Sequence, residues 1–215
     1  DNEDIVKAIF LKMAFFTITH RNGRIPCYTE RVEKNDDKGW EKMNNVAVIG
    51  MDNIGKNVNK NIDKQMGDVI SLFTEEDIIR DPLQFTRYDA VILVCSLGDE
   101  ESPVLARLEQ IKKHQRNLIF LGTTPFKWEG QKKSEIANEQ RDAILSMITC
   151  AGTVDYNEFA AFIKKQAQPG TTTEAFSMID DVMIQSVHRI AELPQFDATG
   201  ISSILQEEIN TLQPS

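Results

Sequence analysis

No stretch of the sequence approaches the roughly 20 consecutive apolar residues that a membrane-spanning helix needs. The apolar opening segment, Ile5–Ile18, is too short and is interrupted by Lys7 and Lys12. It has neither the preceding charges nor the small-residue cleavage site of a secretory signal. Membrane insertion is therefore not expected. Cysteine is scarce: Cys27, Cys95 and Cys150 are odd in number, far apart and without metal-ligand spacing. Reduced thiols in a cytoplasm and no metal site are the expectation. The three histidines, His20, His114 and His188, stand alone and read as surface or structural residues. Excess positive charge is missing too. The 24 Lys and Arg face 33 Asp and Glu, a formal net charge of -9. That balance argues against nucleic acid or an anionic membrane as the main partner. What remains is 41% apolar and 27% charged over 215 residues, the composition of a soluble globule of one domain with an appendage.

The informative stretch runs from Tyr88 to Gly130. It opens on Ala90-Val91-Ile92-Leu93-Val94-Cys95, passes a polar break at Ser96–Pro103, and continues with Val104, Leu105, Leu108 and Ile111 at helical spacing. It closes on Leu118-Ile119-Phe120-Leu121. Apolar runs without alternation are buried on both faces, as in a parallel sheet. Strand, helix, strand within about forty residues is a right-handed crossover. The same logic makes Asn45–Gly50 the first parallel strand, followed by Val58, Ile62, Gln65 and Met66 on a helix. A further strand is expected at Asp68–Phe73. Thr74 with Glu75, Glu76 and Asp77 is a helix start that ends near Asp81-Pro82. Gln131–Met147 is expected to be a helix with Ile136, Ala143, Ile144 and Met147 towards the sheet. Gly152–Tyr156 reads as an edge strand, and Glu174–Leu193 as a long helix with a core stripe of Phe176, Ile179, Met183, Val187 and Ile190. Residues 1–19 read as an amphipathic helix or as a helix running into a strand: Ile5–Met13 has helical rows and Phe15-Phe16-Thr17-Ile18-Thr19 has strand character. Asn22-Gly23 is a turn, Arg24–Val32 is a possible hairpin partner, and a charged linker follows.

Ligands of parallel sheets sit at the carboxyl ends of the strands, so the loops there carry the chemistry. The first reads Gly50-Met51-Asp52-Asn53-Ile54-Gly55-Lys56-Asn57. As a phosphate loop it is weak: Asn57 stands where Ser or Thr would follow the lysine, and Asp52 brings a negative charge. The second is Ser96-Leu97-Gly98-Asp99-Glu100-Glu101-Ser102-Pro103. Three consecutive acids there repel phosphate. They also suit a helix start, with Ser102 or Asp99 as the cap.

Three segments carry a family resemblance. Thr124-Pro125-Phe126-Lys127-Trp128-Glu129-Gly130 with Gln131-Lys132-Lys133 resembles the Thr-Lys-Pro-Phe-x-Phe-Glu-Gly-basic segment of the bacterial tubulin homologue FtsZ. Ala175-Phe176-Ser177-Met178-Ile179-Asp180-Asp181-Val182-Met183 resembles its Ala-Phe-x-x-Ala-Asn-Asp-Val-Leu, and Ser186–Leu193 its Ala-Val-x-x-Ile-Ala-Glu-Leu. The resemblance covers roughly residues 45 to 205. It implies an α/β fold, three-layer and Rossmann-like, with a mostly parallel sheet as in the tubulin/FtsZ nucleotide-binding domain. It also implies an extension at 1–44, a domain at 45–194 with its central helix at 174–193, and a degenerate loop with a short helix at 195–215. The family's second domain has no counterpart in these residues.

The family's nucleotide residues carry over only in part. Remnant candidates for binding are Gly50, Gly55, Asn57, Gly98, Thr124, Asn157, Phe176 and Asp181. The family's water-positioning acids are reduced to Asp197, because Gly200 stands at the second position. Asp180 replaces the base-recognising Asn. A pseudo-GTPase scaffold or regulator is the expected function, without a cofactor and without GTP hydrolysis. Its partner would be a protein, either a second copy or a true FtsZ/tubulin-family member. The alternative is a divergent GTP-binding protein using GTP with Mg through Lys56, Asn157 and Asp181. A further reading makes the 1–44 arm the partner-binding part.

Overall fold

The computed structural model describes residues 45–62, 70–148, 150–157 and 172–191. Five strands form one sheet, ordered β2-β1-β3-β4-β5 and parallel throughout. They are β1 (Val46–Gly50), β2 (Ile70–Thr74), β3 (Ala90–Ser96), β4 (Leu118–Thr124) and β5 (Cys150–Asp155). The helices are α1 (Asn53–Asn61), α2 (Glu75–Arg80), α3 (Val104–Lys112), α4 (Gln131–Met147) and α5 (Thr172–Ala191), with 3-10 turns at Pro82–Arg87 and Lys127–Glu129.

The unbroken apolar runs are the interior strands. Every residue of β1 is buried, and β3 and β4 are buried up to their last residue. Alternation within them divides the core in two. Val46, Val48, Ile92, Val94, Ile119 and Leu121 meet Val58 of α1 and Ile179, Met183 and Val187 of α5. Ala47, Ile49, Val91, Leu93 and Phe120 meet Ile78, Phe85, Val104, Leu108, Ile111, Ala137 and Ile144 on the other face. Each fully buried aliphatic side chain contributes about 1.5–3 kcal/mol relative to exposure, so the two stripes hold the three layers together. The α5 stripe falls where the sequence places it, although the side chain of Phe176 lies outside the described residues.

Several local expectations shift. The second strand is described over Ile70–Thr74, and Asp68 and Val69, read as its start, lie outside the described residues. The Thr74 N–H donates to the Asp77 carboxylate at 2.8 Å, so the helix start there is a capping box. Neither Ser102 nor Asp99 caps α3. Pro103 is at that position, without a side-chain bond, and no acid lies in the first turn. Asp99 instead closes the loop on itself by accepting the Glu101 N–H at 3.0 Å. On α4 the buried positions are Ala137, Gln140 and Ile144. Gln140, a polar residue, takes a place that apolar spacing assigns to its neighbours. The expectations for residues 1–44 and 195–215, Asp197 among them, lie outside the described residues.

Candidate functional site

The carboxyl ends of β1, β3, β4 and β5 bring Gly50, Ser96, Thr124 and Asn157 to one edge of the sheet. Strand order reverses between β1 and β3, which is where a doubly wound sheet opens a crevice for a ligand. In this chain a side chain of the chain itself occupies that point. Asp52 caps α1, its Oδ1 accepting the Gly55 N–H at 2.9 Å. Its Oδ2 accepts the Ser96 N–H at 2.6 Å and also the Ser96 hydroxyl. The free N–H groups and positive end of a helix terminus favour an anion, and Asp52 supplies one.

The glycines that flank Asp52 serve packing. A Cβ on Gly50 would come within 2.4 Å of the Gly55 carbonyl carbon, and one on Gly55 within 2.4 Å of the Val94 oxygen. The Met51 N–H continues the contact, donating to Val94 O at 3.1 Å. Lys56 and Asn57 point to solvent on the outer side of α1.

The second loop is closed in another way. Gly98 adopts φ 102°, a conformation that favours glycine. Its N–H donates to Gln140 Oε1 at 2.8 Å, and Gln140 Nε2 donates to the Asp99 carbonyl at 2.7 Å. The buried amide thus satisfies one backbone donor, the Gly98 N–H that a phosphate cradle would leave free, and one backbone acceptor, the Asp99 carbonyl. Asp99, Glu100 and Glu101 are exposed, and Lys132 reaches Glu100 at 2.6 Å.

Asn157 is also engaged. Its Oδ1 accepts the Lys127 N–H at 2.8 Å, and its Nδ2 donates to the Pro125 carbonyl at 3.2 Å and to Asp155 at 3.0 Å. It ties the end of β5 to the loop after β4. Asp181 lies on α5 with its side chain outside the described residues.

These loops form one wall of a cleft of about 710 Å³, through Ile54 of the first and Ser96–Glu100 of the second, which extends along the end of β4 to the start of α4. Its walls include Gly98, Thr124, Trp128, Lys133, Ile136 and Tyr156. Trp128 is three-quarters exposed and stacks on Phe126, with centroids 5.2 Å apart; Phe126 in turn lies 4.8 Å from Tyr156. Burial pushes the Tyr156 hydroxyl up to about 12. Burial opposes ionisation of Glu129, yet hydrogen bonds from Lys133 at 2.5 Å and from the Phe126 N–H at 2.8 Å hold its carboxyl below the usual range. Among the described residues no group of three or more His, Cys, Asp or Glu side chains converges as a metal site would. No helix among them is long and apolar enough to cross a membrane.

Sequence reasoning finds Gly50, Gly55, Gly98, Thr124 and Asn157, and the fold gathers these five at one sheet edge. It misses Gln140, which only its contact partners reveal, and the pairing of Asp52 with Ser96 across 44 residues of chain.

An all-parallel, doubly wound sheet with loops gathered at its carboxyl edge defines a Rossmann-like α/β domain. Its fold is that of the tubulin/FtsZ nucleotide-binding domain. A solved structure titled "FtsZ dimer, empty", from M. jannaschii, superposes with a TM-score of 0.54 at 16% identity, covering 73% of this chain. This chain spans 57% of the length of that protein. No family model and no curated protein matches the sequence.

Proposed function

We propose that the chain is a tubulin/FtsZ-fold interaction module, a scaffold or regulator that works through a protein partner without binding nucleotide at the strand ends. The partner would be a second copy or a protein of the same fold. The observation that carries this reading is the Asp52 carboxylate, bonded to the α1 N-terminus and to Ser96, where an anionic ligand would have to sit.

The residues present do not fit GTP with Mg. The helix terminus is capped from within, the Gly98 N–H is bonded to Gln140, the Asn157 amide is engaged, and three acids line the loop rim. The exposed acids of the rim repel a phosphate further, an effect that salt screens. No hydrolytic step is assigned to these residues.

The cleft of about 710 Å³ favours a second reading, a divergent nucleotide binder whose ligand lies towards α4. Calorimetric titration of the intact chain with GTP and magnesium separates the two. The interaction module predicts no heat at protein concentrations of about 50 μM, where a micromolar Kd is read directly. Micromolar binding overturns it in favour of the divergent binder.

A further inference from the structure

Three of the four exposed large apolar side chains in the described residues fall within one short stretch: Leu72 on β2, Ile79 on α2 and Leu83 just after it. Each is about half exposed. Among the described residues β2 is an edge strand, bonded to β1 alone. A bare edge of this kind presents unpaired N–H and C=O groups and templates a further strand. The strand itself, Ile70-Ser71-Leu72-Phe73-Thr74, has no charge and no proline to blunt its edge. Its Phe73 carbonyl is taken by the Asn59 amide at 2.8 Å, which leaves pairing to the Ile70–Leu72 portion.

The same chain holds a segment that fits. Phe15-Phe16-Thr17-Ile18-Thr19 is uncharged, is five residues long like β2, and alternates so that Phe16 and Ile18 share one face. The 1–44 arm joins the sheet at Asn45, at the foot of β1, and Val46 pairs with Ile70 at the foot of β2. The position beyond β2, unfilled among the described residues, lies about 10 Å from β1, two strand spacings. Residues 33–44 can span up to about 40 Å when extended, so reach is not limiting.

We propose that residues 15–19 of the amino-terminal arm add to the free edge of β2 as a further strand, with Phe16 and Ile18 laid beside Leu72. Ile70 lies in the core on the α1 side, and Leu72, two residues on, shares that face. Phe15 then falls on the opposite face, with Phe73. The arm covers the margin of the sheet at β2.

Amide hydrogen exchange of the full chain tests this. In the Phe16→Asp, Ile18→Asp double variant, exchange of the Ile70–Leu72 amides should rise about tenfold or more while that of β3 is unchanged. A synthetic peptide of residues 10–21 added in excess should restore protection. Unchanged exchange in the variant overturns the proposal. So does a rise in β2 and β3 together that the peptide does not reverse, which reports a weakened fold. Protection of β2 in the unmodified chain that grows with protein concentration overturns it as well, since the added strand would then come from a second copy.

Discussion

The two loops at the switch between β1 and β3 keep glycines for different reasons. In the Gly50–Gly55 loop the glycines let three backbones touch: β1, α1 and β3 approach so closely that a methyl group on either residue would meet main-chain atoms. In the Ser96–Ser102 loop Gly98 is kept for its backbone angle and for a bond to Gln140. In the first, Asp52 accepts the N–H of Gly55 and reaches across to that of Ser96; in the second, Gln140 accepts the N–H of Gly98 and Asp99 that of Glu101. Glycine at the end of a parallel strand is therefore evidence of close packing before it is evidence of a ligand.

That contrast can be broken from either side. The largest effect is expected at Gly55→Ala, whose Cβ would lie 2.4 Å from the Val94 oxygen and 2.6 Å from the Gly50 Cα. Backbone has no rotamer to yield, so a loss of about 3 kcal/mol or more is expected in denaturant unfolding. Gly130→Ala is the contrast: its φ is positive at 114°, as Gly55's is not, but nothing lies within 4 Å of the added carbon. Its cost, about 1–3 kcal/mol, comes from backbone strain alone, because φ 114° with ψ 150° is a conformation that glycine adopts and L side chains avoid.

Gln140→Leu leaves the Gly98 N–H and the Asp99 carbonyl without the partners they now have, at a cost of about 2 kcal/mol by the same measurement. If the second loop is held chiefly by its own turn, with Asp99 accepting the Glu101 N–H, the loss will be under half of that and the comparison must be redrawn.

Tyr156 gives a pH signature. Its folded pKa of about 12 lies above the ordinary value of 10. The stability it protects is present below pH 10 and is lost as the unfolded chain ionises first, between pH 10 and 12. Tyr156→Phe should remove a loss on the order of 2 kcal/mol across that window, read as the difference between the two melting curves.

At the small end, Lys132→Ala removes an exposed pair with Glu100 and should change stability by less than about 0.5 kcal/mol. A larger change would mean that the acidic rim needs Lys132 to hold its shape.

The sheet was readable in advance because its signal is dense. Ala90–Cys95 and Leu118–Leu121 have no polar interruption, and Gly130 marks the start of α4 at Gln131 as the sequence suggests. The resemblance carried by Thr124–Lys133 and by α5 placed the fold correctly. The site was readable only as a departure from a pattern. Asp52 stood out as a charge in an unsuitable place, but nothing local reveals that Ser96 waits for it at the end of another strand. Gln140 was invisible for the same reason: a glutamine on a helix is ordinarily a solvent residue, and only a turn 41 residues upstream makes it a core clamp. Apolar burial follows from periodicity within one element. Polar satisfaction depends on which elements meet.

The central claim is that Asp52 occupies the anion position at the α1 terminus. Melting temperatures of the intact chain and of Asp52→Ala, each with and without about 20 mM inorganic phosphate in buffers of matched ionic strength, test it most directly. The variant should melt lower without phosphate, by the equivalent of about 1 kcal/mol for a lost cap, and regain stability when phosphate is added. The unmodified chain should be indifferent to phosphate. A phosphate response in the unmodified chain, or none in the variant, would contradict the account.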